Sequence, residues 1–98
     1  MNVTFDKRAQ KVLKSLSDIE QGRVSGYIDS FSANGFSMTS QYLRKIDVNL
    51  WELKPGNIRV LFGLVSSDAM VVNIFKKKTQ KTPRQEIKTA KNRLKEYI

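Results

Sequence analysis

The side chains that could do chemistry in this sequence are cations. Lys54 stands just before Pro55-Gly56-Asn57, Arg59 follows shortly after, and Lys76-Lys77-Lys78 form a run further on. The chain has no histidine and no cysteine. That removes the commonest general base, the serine triad, most zinc sites and every thiolate metal site. A set of Lys and Arg without His, Cys or a carboxylate cluster still suits one reaction, because RNA carries its own nucleophile. Its 2′-hydroxyl attacks the adjacent phosphate, and a protein has only to align that attack, accept the hydroxyl proton, stabilise the phosphorane and protonate the leaving 5′-oxygen. Arginine fits the phosphorane because its planar fork matches phosphate oxygens bidentately. Lysine becomes a base only when its pKa, about 10.4 unperturbed, is lowered, and neighbouring cations lower it.

Blander readings stand beside this one. A triple-lysine run is commonly a solvated strand end. Arg59 in a strand suits a cross-strand ion pair with Glu52, and Lys54 suits an ordinary turn. Trp51, Phe62 and Phe75 could stack on bases, but their apolar neighbours at strand spacing favour core packing. Lys88, Lys91 and Lys95 on the last helix serve equally as a solubilising face.

The elements that must position these cations are legible from local patterns. Asp6 caps a first helix with apolar Ala9, Val12, Leu13 and Leu16 on one face. Ser17-Asp18-Ile19-Glu20 is a capping box for a second helix with Val24, Tyr27, Ile28 and Phe31 as its stripe, stopped by Asn34-Gly35. Gly22 and Gly26 weaken that helix, and close approach to the first helix would account for them. Four strands follow, over residues 43–46, 50–54, 58–65 and 70–77, with tight turns at Pro55-Gly56-Asn57 and Ser66-Ser67-Asp68. Apolar residues on both faces of the third strand mark it as central, with helices covering one side. Thr82-Pro83 opens a last helix with Ile87, Ala90 and Leu94 facing inward. The fold class is α+β: a helical hairpin on an antiparallel sheet of about four strands, with a C-terminal helix. Hairpin pairing returns the end of the fourth strand to the start of the third, so Lys76 and its neighbours converge on Arg59 and Lys54. Alternation sends Lys77 to the face opposite Lys76 and Lys78; which face carries Arg59 is left open.

Composition sets the frame. The 98 residues suffice for one domain, and 40% hydrophobic residues with two prolines exclude a disordered tail. The N-terminal residues Met1 to Asp6 lack the pattern of a signal peptide, no run is apolar enough to span a bilayer, and cysteine is absent, so a cytoplasmic location is expected. The net charge of +9 favours an anionic partner, and it is local. Residues 76–98 hold nine basic against two acidic side chains, a net of +7; residues 1–75 hold nine against seven, a net of +2.

In Leu50-Trp51-Glu52-Leu53-Lys54, Ile58-Arg59-Val60-Leu61-Phe62 and above all Phe75-Lys76-Lys77-Lys78-Thr79-Gln80-Lys81-Thr82-Pro83, followed by Glu86-Ile87 and Ala90, the sequence resembles the phage-derived HigB-like branch of the RelE toxin superfamily. The resemblance covers roughly residues 42–95. It implies the toxin of a toxin–antitoxin pair: a metal-independent mRNA endonuclease, without cofactor, acting on messages in the ribosome and silenced by an antitoxin of helix-turn-helix type. It matches Arg59 to the phosphate-binding arginine of the family, Lys77 to the cation closing the last strand and Lys54 to basic residues before the hairpin turn. These three are the expected catalytic residues, with Lys76, Lys78, Lys81 and Arg84 expected to bind RNA. Relatives often carry a histidine or tyrosine in the C-terminal part of the site; here histidine is absent and Tyr97 lies far along the last helix. The reading from another class is a non-catalytic basic module that binds nucleic acid, the ribosome or a regulator.

Overall fold

A computed structural model describes residues 1–98. The elements run β1 (Val3–Phe5), α1 (Lys7–Ser15), α2 (Asp18–Asn34), a short 3-10 turn (Gly35–Ser37), β2 (Leu43–Asp47), β3 (Leu50–Leu53), β4 (Ile58–Val65), β5 (Asp68–Lys76) and α3 (Arg84–Leu94). They build one sheet in the order β1-β5-β4-β3-β2. The three hairpin pairings are antiparallel, as the turns require.

Local signals set the helix boundaries. Asp6 accepts from the backbone N–H groups of Arg8 and Ala9, and Ser17 and Glu20 satisfy each other's N–H groups as a capping box. α2 stops where Gly35 adopts φ +60°.

The fold departs from the sequence-based expectation in three respects. The sheet has five strands, because Val3–Phe5 pairs in parallel with β5, Val3 opposite Ala69 and Phe5 opposite Val71. Helices cover both faces. α1 and α2 bury Ala9, Val24 and Phe31 against Leu53, Ile58, Val60 and Phe62, while α3 buries Ala90 and Leu94 against Leu50, Leu61, Val72 and Phe75 on the opposite face. A central strand apolar on both sides thus finds two partners, each apolar surface removed from water at about 25 cal/mol per Å². Gly22 and Gly26 meet nothing that a Cβ would touch, so no close helix approach explains them. The glycine that packing requires is Gly63 of β4: a Cβ there would collide with a Leu94 methyl and lie 2.6 Å from the Asn49 carbonyl oxygen.

One irregularity decides which side chains meet. Leu61 pairs with Asn73 but Phe62 pairs with Val71, so Val72 is an extra residue on β5. A bulge of this kind turns both Val72 and Asn73 toward the α3 face. α3 secures it at both ends: Arg93 Nη1 donates to the Val72 carbonyl at 3.0 Å, and Asn73 Nδ2 donates to the Glu86 backbone and carboxyl oxygens at 3.0 Å. Strand alternation has period two, so one inserted residue reverses the facing of everything beyond it. Without the bulge, Lys77 would share the α1/α2 face with Ala69 and Val71. With it, Lys77 falls on the face of Phe75 and of Arg59, the residue opposite Phe75.

Candidate active site

β4 and β5 remain paired to their ends at the exit of the sheet, Ile58 opposite Lys76 and Arg59 opposite Phe75. The Lys77 N–H then donates to the Asn57 carbonyl at 2.7 Å, which draws the segment after β5 against the β3–β4 turn. The result is an open depression of about 510 Å³ lined by Gly56, Asn57, Arg59, Lys77, Lys78, Thr79 and Gln80. Its lining has three cations and no carboxylate.

Arg59 is held without an acidic partner. Its Nη1 donates to the carbonyls of Gly56 at 2.7 Å and Ile58 at 2.8 Å. Its Nε–H is buried with no acceptor. Buried donors in folded proteins are almost always paired; with Nη1 taken and Nε enclosed, the unbonded Nη2 is the nitrogen left to an anion. The ion pair with Glu52 does not form. Glu52, opposite Arg44 in the register, is fully buried and accepts from Arg44 Nη2 at 3.2 Å. Its other oxygen accepts a short hydrogen bond from the Thr82 hydroxyl. That bond anchors the end of the Lys77–Lys81 segment to the sheet.

Lys54 lies one residue beyond β3, half-buried, and outside the lining of the depression. Its pKa is nonetheless lowered. Burial is the main cause; the charge of Arg44 adds to it, Glu52 opposes it, and the charges of Arg59 and Lys77 lower it further. Lys54 therefore belongs to the same electrostatic cluster. Lys76 goes elsewhere: it faces α2 and pairs with Glu20 at 3.0 Å. Lys78 lines the depression beside Lys77 instead of taking the face of Lys76, because the strand has ended at Lys76. Lys81 lines a neighbouring hollow with Arg44 and Lys45, and Arg84 a third on α3.

Sequence reasoning missed Asn57, Thr79 and Gln80 as lining groups, and Glu52 and Thr82 as the anchor. The one available signal was Glu52 itself, a charge between Trp51 and Leu53 in an otherwise apolar strand. The aromatic residues are core: Phe62 and Phe75 are buried, and Trp51 stacks on Phe62 with ring centroids 5.9 Å apart. Tyr97 donates to Asp6 at 2.6 Å. The Asp6 N–H in turn bonds the Val71 carbonyl, so Tyr97 lies about 16 Å up β5 from the depression at roughly 3.3 Å per residue. No group of three or more His, Cys, Asp or Glu side chains is placed to hold a metal ion, and no helix is long and apolar enough to cross a membrane.

An α+β sheet with helices on both faces and a cationic, carboxylate-free depression at one sheet end defines the class. It is the RelE-like fold: the chain is similar to RelE in the crystal structure of the archaeal RelE–RelB complex from Pyrococcus horikoshii OT3, with a TM-score of 0.66 over 82% of this chain and 97% of that one, at 16% identity. Residues 11–95 match the model of the phage-derived Gp49-like family, and the chain belongs to that family. The resemblance to the RelE superfamily is thereby borne out. Among curated proteins none matches the sequence.

Proposed function

We propose that this protein is the toxin of a toxin–antitoxin pair, and that it cleaves mRNA engaged on the ribosome through attack of the RNA 2′-hydroxyl on the adjacent phosphate. The observation that carries this reading is Arg59: a guanidinium free of any carboxylate, with Nη1 fixed by the Gly56 and Ile58 carbonyls and Nη2 unbonded, beside Lys77 and Lys78. In the reaction the 2′-oxygen bonds to phosphorus, the bond to the 5′-oxygen breaks, and the products are a 2′,3′-cyclic phosphate and a 5′-hydroxyl. Arg59 and Lys77 stabilise the phosphorane. Lys54, whose pKa is lowered by burial and by its cationic neighbours, stands just outside the depression and takes the 2′-hydroxyl proton through a bridging water, while the leaving 5′-oxygen takes its proton from solvent. Lys78 holds a flanking phosphate.

A RelE-like fold seen elsewhere in a RelE–RelB complex supports an antitoxin partner, which we assign to the helix-turn-helix type. Inducible expression in bacteria tests the reading. Growth arrest is expected, with relief by Arg59→Ala or Lys77→Ala, since losing one transition-state donor costs about 10²–10³ in rate. Normal growth, or full toxicity of both variants, refutes it. A protein that only binds would leave RNA intact while its affinity falls with salt.

A further inference from the structure

The Arg59 depression does not end at Gln80. That residue also lines a second hollow with Arg44, Lys45, Lys81 and Ile87, and Ile87 in turn lines a third with Arg84, Lys88, Lys91 and Lys95. Each hollow thus abuts the next through one shared side chain, Gln80 and then Ile87. The series runs from the sheet end, past the edge strand β2, onto the exposed face of α3. Its lining contains no acidic residue.

Two of the cations along the extension are already neutralised, Arg44 by Glu52 and Lys91 by Asp47 at 3.0 Å. Lys45 sits over the Trp51 ring, 5.3 Å from its centroid. Lys81, Arg84, Lys88 and Lys95 make no ion pair. Arg84, Lys88 and Lys95 share one face of the helix by their spacing. The extension is lined by no aromatic residue and by only two apolar ones, Ile46 and Ile87. A surface for reading bases in a single strand combines cations with aromatic platforms. A surface of unpaired cations alone matches phosphates.

We infer that this basic surface, from the hollow between β2 and α3 onto the exposed face of α3, binds the RNA strand continuing from the Arg59 pocket, through its phosphates and without regard to sequence, with Lys88 and Lys95 as its far contacts. The inference rests on the RNA reading of the Arg59 pocket and extends it to the flanking nucleotides.

The test is equilibrium binding of the full chain to fluorescent 2′-O-methyl oligouridines, which cannot be cleaved by 2′-hydroxyl attack, as a dinucleotide and as a dodecanucleotide over a range of salt. The dodecanucleotide should bind more tightly and with the steeper salt dependence. K88Q/K95Q should lower that slope by about 1.4, at roughly 0.7 for each phosphate that the variant no longer neutralises, and leave dinucleotide affinity unchanged. Both side chains are exposed, so thermal denaturation of the variant should match wild type. An unchanged slope in K88Q/K95Q, or a dodecanucleotide that binds no better than the dinucleotide, overturns the inferred surface. R59A separates this from the pocket reading: it should weaken the dinucleotide as well. If R59A has no effect while K88Q/K95Q weakens the dodecanucleotide, the pocket reading fails and the inferred path through it is withdrawn. A dodecaglutamate peptide that competes as well as the dodecanucleotide overturns the RNA assignment in favour of an acidic peptide.

Discussion

The anchor between Thr82 and Glu52 predicts a stability loss that can be worked out from its surroundings. Thr82 is buried, and its hydroxyl donates to one oxygen of a fully buried carboxyl group whose other oxygen is held by Arg44. Thr82→Val keeps the shape and removes the donor. The abandoned oxygen then bears the desolvation penalty of an unsatisfied buried group, about 1–3 kcal/mol and toward the upper end for a charged acceptor. At about 4–8 °C per kcal/mol for a domain this small, a loss of ~2.5 kcal/mol lowers Tm by roughly 10–20 °C. Thr82→Ser keeps the hydroxyl and gives up one methyl, about 0.8 kcal/mol, so it should stay within a few degrees of wild type. The two residues should also couple. In a Glu52→Gln background, Thr82→Val should cost at least about 1 kcal/mol less than in wild type, read from a double-mutant cycle by urea denaturation. Because Thr82 ends the segment carrying Lys77 and Lys78, the Val variant should also lose activity about 10²-fold through misplacement of those cations. A Thr82→Val protein melting within ~2 °C of wild type, or strict additivity with Glu52→Gln, would refute the argument.

Two further predictions concern pH. The lowered pKa of Lys54 means that its base form appears below the ordinary lysine range. The cleavage rate should therefore rise with pH and level off below the 10.5 of an unperturbed lysine. Lys54→Arg should move that break beyond reach and slow cleavage near neutrality; an identical pH–rate profile excludes Lys54 as the base. Asp6 behaves oppositely. Its hydrogen bond from Arg8, with those from Tyr97 and the Arg8 backbone, holds its pKa well below the usual carboxylate range. A depressed carboxylate contributes stability above its unfolded pKa, about 3.9, and loses it as pH falls from there toward the folded value. Urea midpoints should show wild type more stable than Asp6→Asn at pH 7, with the gap shrinking only below about pH 4. A gap that does not change with pH contradicts the assignment.

How much of this was legible in the sequence depends on range. The caps at Asp6 and Ser17, the stop at Gly35 and the hairpins around Pro55-Gly56-Asn57 and Ser66-Ser67 are local chemistry, and each took the form that chemistry dictates. β1 was not legible because three residues carry too little alternation to register as a strand, and its partner β5 lies more than sixty residues away. The second helical layer was foreshadowed by Leu61 and Val65 but assigned to one side, since nothing local says where α3 docks. The convergence of Lys77 on Arg59 followed from hairpin topology; the face they share followed from the Val72 bulge, which no residue type announces. Glu52 shows the same limit. Its pairing with Arg59 was sound as local chemistry, yet the register put Arg44 opposite it and the fold supplied Thr82 from thirty residues away. Those two contacts leave Arg59 without a carboxylate, which the phosphate-binding role proposed for it requires.

The most direct test of the central claim is the chemistry of the RNA ends formed when the protein is induced in growing bacteria. Reading those ends at nucleotide resolution should reveal 2′,3′-cyclic phosphates and 5′-hydroxyls inside translated codons, reduced about 10²–10³-fold by Arg59→Ala. New 5′-phosphate ends, ends scattered outside translated regions, or undiminished cleavage by Arg59→Ala would contradict it.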